Sequence, residues 1–360
     1  MYPEIDTPAL VIDLDVVRGN VSEMAKAAAS NGVRLRPHIK THKMPELARM
    51  QLDAGASGIT CAKLGEAEVM ADAGIDDILL AFPIWGEPKL RRLAALRERA
   101  RVRVSLDSPE VAEGLGRLGG PPAEVLVEVD TGQHRLGRPP GRPTADLVAE
   151  IAAIPGVEVV GLLTLAGHAY HSRTAEELAE TSRREGADLV ATAELCAREG
   201  IALREISVGS TPTARHVAGV AGVTEIRPGT YVFNDTAMIR LGVATERTAG
   251  ARVLSTVIAR PTPERVVFDA GTKCLTSDGT GTPDWIRVVG HPYAHMDFLN
   301  EEHGVALLEP GHHGALPVGT RVQLIPGHAC SAVNMFDSAY GVEGGRVTTE
   351  LRVAARGAVR

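Results

Sequence analysis

Eight short β-branched runs lie between Val33 and Gly229, most of them giving way to a longer helical stretch, and few architectures accept that rhythm. The strand candidates are Val33–Arg36, Gly58–Ala62, Ile78–Ala81, Val102–Leu106, Val125–Asp130, Val157–Leu163, Glu205–Val208 and Thr224–Arg227. Helical segments lie between them at Pro45–Ala54, Leu64–Ala73, Pro88–Arg99, Ala145–Ala153 and the long Ala175–Glu199, and another precedes them at Val16–Ser30. Strands separated by helices pair in parallel, so eight such units predict an α/β fold of the (β/α)8 barrel type. In a barrel of this kind the functional groups stand at the carboxyl ends of the strands.

Helical periodicity fades after Gly242. There Leu254–Ile258, Arg265–Phe268, Arg287–Val289, Val305–Leu308, Arg321–Leu324 and Arg346–Val353 read as strands between Gly/Pro-rich turns, which predicts a C-terminal, mostly β domain. The expected division is a barrel over residues 13–245 and a β domain over 246–360, with the N-terminal residues 1–12 adding a strand at Ala9–Ile12.

Composition narrows the partners. Hydrophobic residues make up 44% of the chain and charged residues 23%, an ordinary globular balance. The net charge of −7, with no basic tract interleaved with aromatics, argues against nucleic acid. Met1–Asp6 has no charged run followed by an apolar one, and no stretch reaches bilayer-spanning length. A cytosolic location without a membrane partner is expected. Cys61, Cys196, Cys274 and Cys330 lack the spacing of a disulfide framework, and the first three sit in apolar or helical patterns that suit core filling.

The polar motifs cluster after strands. Pro37-His38-Ile39-Lys40-Thr41-His42-Lys43 follows the first, and a lysine among cations is disfavoured from holding its charge. A neutral amine is what Schiff-base chemistry requires, so Lys40 or Lys43 is a candidate anchor for a pyridoxal-type cofactor, against the plainer reading of a solvated basic turn. Asp130-Thr131-Gly132-Gln133-His134-Arg135-Leu136-Gly137 follows the fifth. Its arginine is either one half of a surface salt bridge or a permanent donor to a cofactor phenolate. Gly167-His168-Ala169-Tyr170-His171 follows the sixth. Gly209-Ser210-Thr211-Pro212-Thr213 and Arg227-Pro228-Gly229-Thr230-Tyr231 follow the seventh and eighth, where phosphate sites of barrels recur.

In the later domain Gly327-His328-Ala329-Cys330 sets an imidazole and a thiol two residues apart, facing one side of an extended segment. Core packing competes with metal binding there. Glu301-Glu302-His303-Gly304, a further polar cluster in the same domain, adds weight to the metal.

These motifs, taken in order along nearly the whole chain, resemble the D-threonine aldolase/D-serine dehydratase family. The resemblance implies an alanine-racemase-like fold, a barrel for pyridoxal 5'-phosphate, a β domain, and a homodimer. It implies that Lys40 bears the cofactor covalently and that Arg135 contacts the ring's phenolate oxygen. Gly209, Ser210, Thr211, Gly229 and Thr230 then form the phosphate cup, Tyr170 lies near the ring, and Lys43 is a supporting charge. His328 and Cys330 become the protein ligands of a divalent metal, zinc first, with manganese or magnesium as alternatives.

Within the family, His-x-Cys in place of His-x-Asp, Gly-Ser-Thr-Pro-Thr in place of a Gly-Gly-Thr-Gly turn, and Asp76-Asp77-Ile78-Leu79-Leu80-Ala81-Phe82-Pro83 lean toward the dehydratases. The function so implied is metal-assisted dehydration of a small β-hydroxy-D-amino acid, such as D-serine or D-3-hydroxyaspartate, to a 2-oxo acid and ammonia. D-threonine aldolase activity is the alternative, then racemisation without a metal. A non-catalytic cofactor carrier is the remaining reading, and the second domain counts against it.

Overall fold

The computed structural model describes residues 1–282 and 284–360. A first strand, β1 (Ala9–Asp13), is followed by eight short ones: β2 (Arg34–Leu35), β3 (Ile59–Cys61), β4 (Asp77–Leu80), β5 (Arg101–Leu106), β6 (Ala123–Glu128), β7 (Val157–Leu163), β8 (Glu205–Val208) and β9 (Glu225–Ile226). β2 to β9 form one parallel sheet in the order β2-β9-β8-β7-β6-β5-β4-β3. A parallel bridge between His38 and Thr60 joins its two outer strands, so the sheet closes as a barrel. The predicted fold class holds, each strand lying within about two residues of its sequence-read position.

The chain divides into two compact units. One comprises Ser22–Lys40, Pro45–Gly229 and Gly357–Arg360; the other comprises Met1–Val21, Thr41–Met44 and Thr230–Arg356.

In the barrel unit the longest helix, Ala175–Arg198, starts where Thr174 accepts the Glu177 N–H at 3.1 Å and carries Glu176 and Glu177 in its first turn. Both features stabilise a helix N-terminus. Its buried stripe runs Leu178, Ser182, Glu185, Leu189, Thr192, Cys196, a helical spacing that includes one carboxylate. The helix Pro109–Gly116 has a weak sequence signature, because only Val111, Ala112 and Leu115 mark its apolar face.

The barrel interior is ionic as well as apolar. The alternation Val33-Arg34-Leu35-Arg36 marks β2, and Arg36 is buried there, its Nε 2.8 Å from Glu225 and its Nη1 2.6 Å from Asp77. Arg103 adds bonds to Asp77 at 2.7 Å and to Glu205 at 3.2 Å. Desolvating such charges costs several kcal/mol per ion, so the network persists only because each member meets opposite charge.

The other unit holds β1 and β10 (Ala251–Thr262), β11 (Arg265–Phe268), β12 (Arg287–Val288), β13 (Ala294–Leu299), β14 (Gly304–Leu308), β15 (Arg321–Ile325), β16 (Ser338–Glu343) and β17 (Arg346–Arg352). They form a nine-stranded sheet ordered β11-β14-β13-β12-β15-β10-β1-β16-β17. β1 runs antiparallel to β10 and parallel to β16, so the N-terminal strand does join this sheet. β13 and β16 were not anticipated: exposed His295, Asp297 and Phe298 blur the alternation of β13, and Gly341 weakens that of β16. Phe268, Trp285, Met296 and Leu324 anchor the core of this unit. Among the described residues no helix is long and apolar enough to cross a membrane, and Cys61, Cys196 and Cys274 are buried free thiols.

Candidate active site

The polar motifs form two constellations, one in each unit. In the barrel unit the chain leaves β2 through Pro37 and His38 into a tight turn, Ile39–Thr41, that carries Lys40. The His38 N–H donates to Pro228 O at 3.0 Å, tying this segment to the one after β9. Burial, followed by the charges of Lys40, Arg227 and Arg135, holds the His38 imidazole well below its usual range. A neutral imidazole thus stands among three cations.

Arg227, quoted above only as part of a motif, is the best-buried of those cations. Its Nε donates to Ser207 Oγ at 2.8 Å, and its Nη2 donates to Thr164 O at the end of β7. Arg135 is half exposed, with its Nη2 3.6 Å from Glu128 Oε1. Its loop is folded by Asp130, whose Oδ1 accepts the N–H groups of Gly132 and His134, each at 2.9 Å. Burial works against the ionised Asp130, yet these amides and His134 keep it below the ordinary carboxylate range. Gly137 closes the loop at φ +93°, donating its N–H to Asp107 Oδ2 at 3.0 Å. Tyr170 sits half-buried in the turn Gly167–His171, where the His168 ring packs against Gly132.

Gly209 turns the chain after β8 at φ +88°. The next residues are buried, and the Ser210 N–H donates to Thr213 Oγ1 at 2.9 Å. The Gly209 N–H goes to Glu185 Oε1 at 3.0 Å. Gly229 follows β9, and the next turn, Thr230–Val232, is buried. Three cations about a neutral imidazole, and a buried hydroxyl-rich turn at a strand end, suit an anionic ligand with a phosphate.

In the β unit His328 caps the short helix Ala329–Val333 and Cys330 lies in its first turn. A strand-to-helix turn, rather than the continuous extended segment expected, brings imidazole and thiol together. The thiolate charge of Cys330 outweighs burial and raises the His328 imidazole to about 9. Asp235 Oδ2 lies 3.9 Å from His328 Nδ1 and accepts the Ala329 N–H at 3.0 Å. Imidazole, thiol and a carboxylate behind the imidazole form a donor set that suits zinc. Among the described residues no group of three His, Cys, Asp or Glu is arranged to hold a metal, so this pair would leave positions open. Glu301-Glu302-His303-Gly304 has another use. The Asn300 and Glu301 carbonyls accept the N–H groups of Thr272 and Lys273 at 2.8 and 3.2 Å, and Glu302 pairs with Lys273 at 2.5 Å.

Lys43 lies in the β unit, with its Nζ 2.8 Å from Asn334 Oδ1. Glu185, Arg227, Asp235 and Thr41 were not singled out in the sequence. Only Glu185 had a usable signal, a carboxylate at a core position of a helical stripe.

Residues 12–237 match the family described as alanine racemase, N-terminal domain, and residues 250–342 match a serine dehydratase domain. The chain is 35% identical to the D-threonine aldolase of an Arthrobacter species, covering 98% of this chain and 93% of that one. It is also 35% identical to the D-threo-3-hydroxyaspartate dehydratase of Delftia sp., covering 92% and 93%. The crystal structure of D-threonine aldolase from Filomicrobium marinum superposes with a TM-score of 0.91 at 33% identity, covering 99% of this chain and 97% of that one. Similar solved structures of D-threo-3-hydroxyaspartate dehydratase include a histidine-to-alanine mutant, and a cysteine-to-alanine mutant described as metal-free. The two mutated positions stand two residues apart, as His328 and Cys330 do. The metal-free structure has a TM-score of 0.89 at 34% identity, with 97% of each chain covered.

Proposed function

This chain belongs to the D-threonine aldolase/D-serine dehydratase family, and on that premise we propose a pyridoxal-phosphate-dependent, divalent-metal-assisted lyase of β-hydroxy-D-amino acids. The favoured reaction is dehydration of a D-serine or D-3-hydroxyaspartate type substrate to a 2-oxo acid and ammonia. The proposed cofactor barrel spans residues 13–245, and the metal domain spans 246–360 with 1–12.

When bound, the cofactor supplies an electron sink for bonds at the substrate Cα, and the metal a Lewis acid for its β-oxygen. Lys40 Nζ would hold the cofactor, and its amine is the group that would take the proton from the substrate Cα. Lys43, held by Asn334, serves as a fixed positive charge. Arg135 binds the ring's phenolate oxygen, with Tyr170 beside the ring. Gly209, Ser210, Thr211, Gly229 and Thr230 hold the phosphate. His38, held neutral by burial and its cationic neighbours, leaves the fixed positive charge beside it to Arg227 and Arg135. His328 and Cys330 hold the metal, zinc by preference, and Asp235 orients the imidazole.

The pairing of His328 with Cys330 carries this reading. It matches the spacing of the mutated pair in the D-threo-3-hydroxyaspartate dehydratase structures. A retro-aldol reaction giving glycine and an aldehyde is the second reading, favoured by the equal identity to the Arthrobacter aldolase. A homodimer in the cytosol is proposed with either, and size-exclusion chromatography tests the dimer.

The deciding assay incubates protein, pyridoxal 5'-phosphate and zinc or manganese with D-serine, D-threonine and D-threo-3-hydroxyaspartate. Ammonia with a 2-oxo acid identifies the dehydratase, and glycine with an aldehyde the aldolase; neither product overturns both. Borohydride reduction should label Lys40 alone, and Lys40→Ala should abolish the label.

A further inference from the structure

Glu185 is fully buried, yet it lies in the middle of the helix Ala175–Arg198, within a stripe of core residues. Its Oε1 accepts two backbone amides, that of Ala166 at 3.1 Å and that of Gly209 at 3.0 Å. Ala166 leads from β7 into the turn bearing His168 and Tyr170, and Gly209 opens the buried Ser210–Thr213 turn after β8. One oxygen therefore ties together two loops at the carboxyl end of the barrel.

Its other oxygen, Oε2, is buried and has no bond of ordinary hydrogen-bond geometry among the described residues, although the Thr213 hydroxyl interacts with the carboxyl. With both backbone amides on one oxygen and the other enclosed, the arrangement suits a neutral acid, whose carbonyl accepts twice. Leaving a neutral hydroxyl unsatisfied is cheaper than leaving a bare carboxylate oxygen unsatisfied. Burial acts in the same direction, pushing the Glu185 carboxyl above its usual range despite the opposing amides, the Thr213 hydroxyl and Arg227.

We propose that Glu185 is the positioning residue of the phosphate cup, fixing Gly209 and the loop after β7 in register through their amides. Burial disfavours its ionised form, and with it a second negative charge behind the bound phosphate. The inference rests on the cofactor assignment made above, but not on the reaction catalysed.

The test compares pyridoxal 5'-phosphate with pyridoxal, which lacks the phosphate, binding to the full chain after its cofactor is removed. Equilibrium dialysis gives the ratio of the two dissociation constants. Glu185→Met keeps the volume but leaves both amides unpaired, and should reduce the preference for the phosphorylated compound by about tenfold or more. Glu185→Gln retains a carbonyl acceptor and no charge, and should keep the preference within about threefold of the natural chain. Equal weakening of both compounds in Glu185→Met makes the residue merely structural and overturns the proposal, as does a loss in Glu185→Gln matching that in Glu185→Met.

If circular dichroism shows Glu185→Met unfolded, Glu185→Asp, which withdraws the carboxyl by one methylene, is read in its place; an unchanged preference there overturns the proposal. A natural chain that prefers the phosphorylated compound but turns over no β-hydroxy-D-amino acid leaves Glu185's role standing and removes the lyase reading. A natural chain that binds both compounds alike removes the cup, and this inference with it.

Discussion

Thr41 Oγ1 lies 3.1 Å from Cys330 Sγ, so the residue next to Lys40 in sequence is a hydrogen-bonding partner of the proposed metal thiolate. Thr230 Oγ1 is a second hydroxyl near the same sulfur, at 3.7 Å. Hydroxyls aimed at a thiolate orient it and tune its donor strength, and removing such outer partners costs about 10–100-fold in metal affinity. Thr41→Val, which keeps the shape and removes the hydroxyl, should weaken zinc binding by about tenfold in a chelator competition. Unchanged affinity would make the contact incidental.

A methyl group at Gly137 has no room. Its Cβ would lie 2.7 Å from Glu128 O and 2.8 Å from Asp130 N, at a φ of +93°. Gly137→Ala should therefore cost about 1–3 kcal/mol and displace the loop bearing Arg135. Melting should detect the first effect and weakened cofactor binding the second. The substitution Gly141→Ala, at φ +84° with nothing within 4 Å, carries backbone strain alone and should leave cofactor binding intact.

Arg36 is buried between Glu225 and Asp77, at 2.8 and 2.6 Å. Replacing it by Met strands two carboxylates, one of them fully enclosed, and should cost about 3–5 kcal/mol in urea unfolding. The partly exposed pair Arg92–Glu68, at 2.6 Å, is the contrast: Arg92→Ala should stay within about 1 kcal/mol. A similar loss in both variants would mean that burial does not set the scale.

His295 meets Glu309 at 2.8 Å and Asp284 at 3.3 Å, and both raise its pKa despite partial burial. A raised folded value means that the charged imidazole is favoured by folding. Its stabilisation is complete below the ordinary histidine value of about 6.5 and is lost as pH rises through the folded value. With the side chain 47% exposed, solvent screening keeps the gain to at most about 1 kcal/mol. The melting difference between the natural chain and His295→Gln should be largest near pH 6 and shrink above neutrality. A difference that grows with pH would mean that folding disfavours the charged imidazole.

Local pattern determined much of this protein by itself. Alternating strand and helix periods specify the barrel, because a parallel pair needs a crossover between its strands. The turns at Gly132, Gly137 and Gly209 are legible because each glycine adopts a positive φ that other residues reach only with strain. His-x-Cys was visible as a donor pair, though its geometry was misread, since two residues cannot reveal whether a helix begins between them.

Tertiary structure decided which charges are buried and what they hold. Nothing near Arg36 in sequence says whether its face of β2 meets solvent or Glu225, 189 residues away. Glu185 looks like any helical acid until Ala166 and Gly209 arrive from two other strand ends, and Asp235 becomes a partner of His328 only when the loops after β9 and β15 meet. Burial and hydrogen bonding depend on what the rest of the chain brings alongside, and no stretch of sequence contains its own distant neighbours.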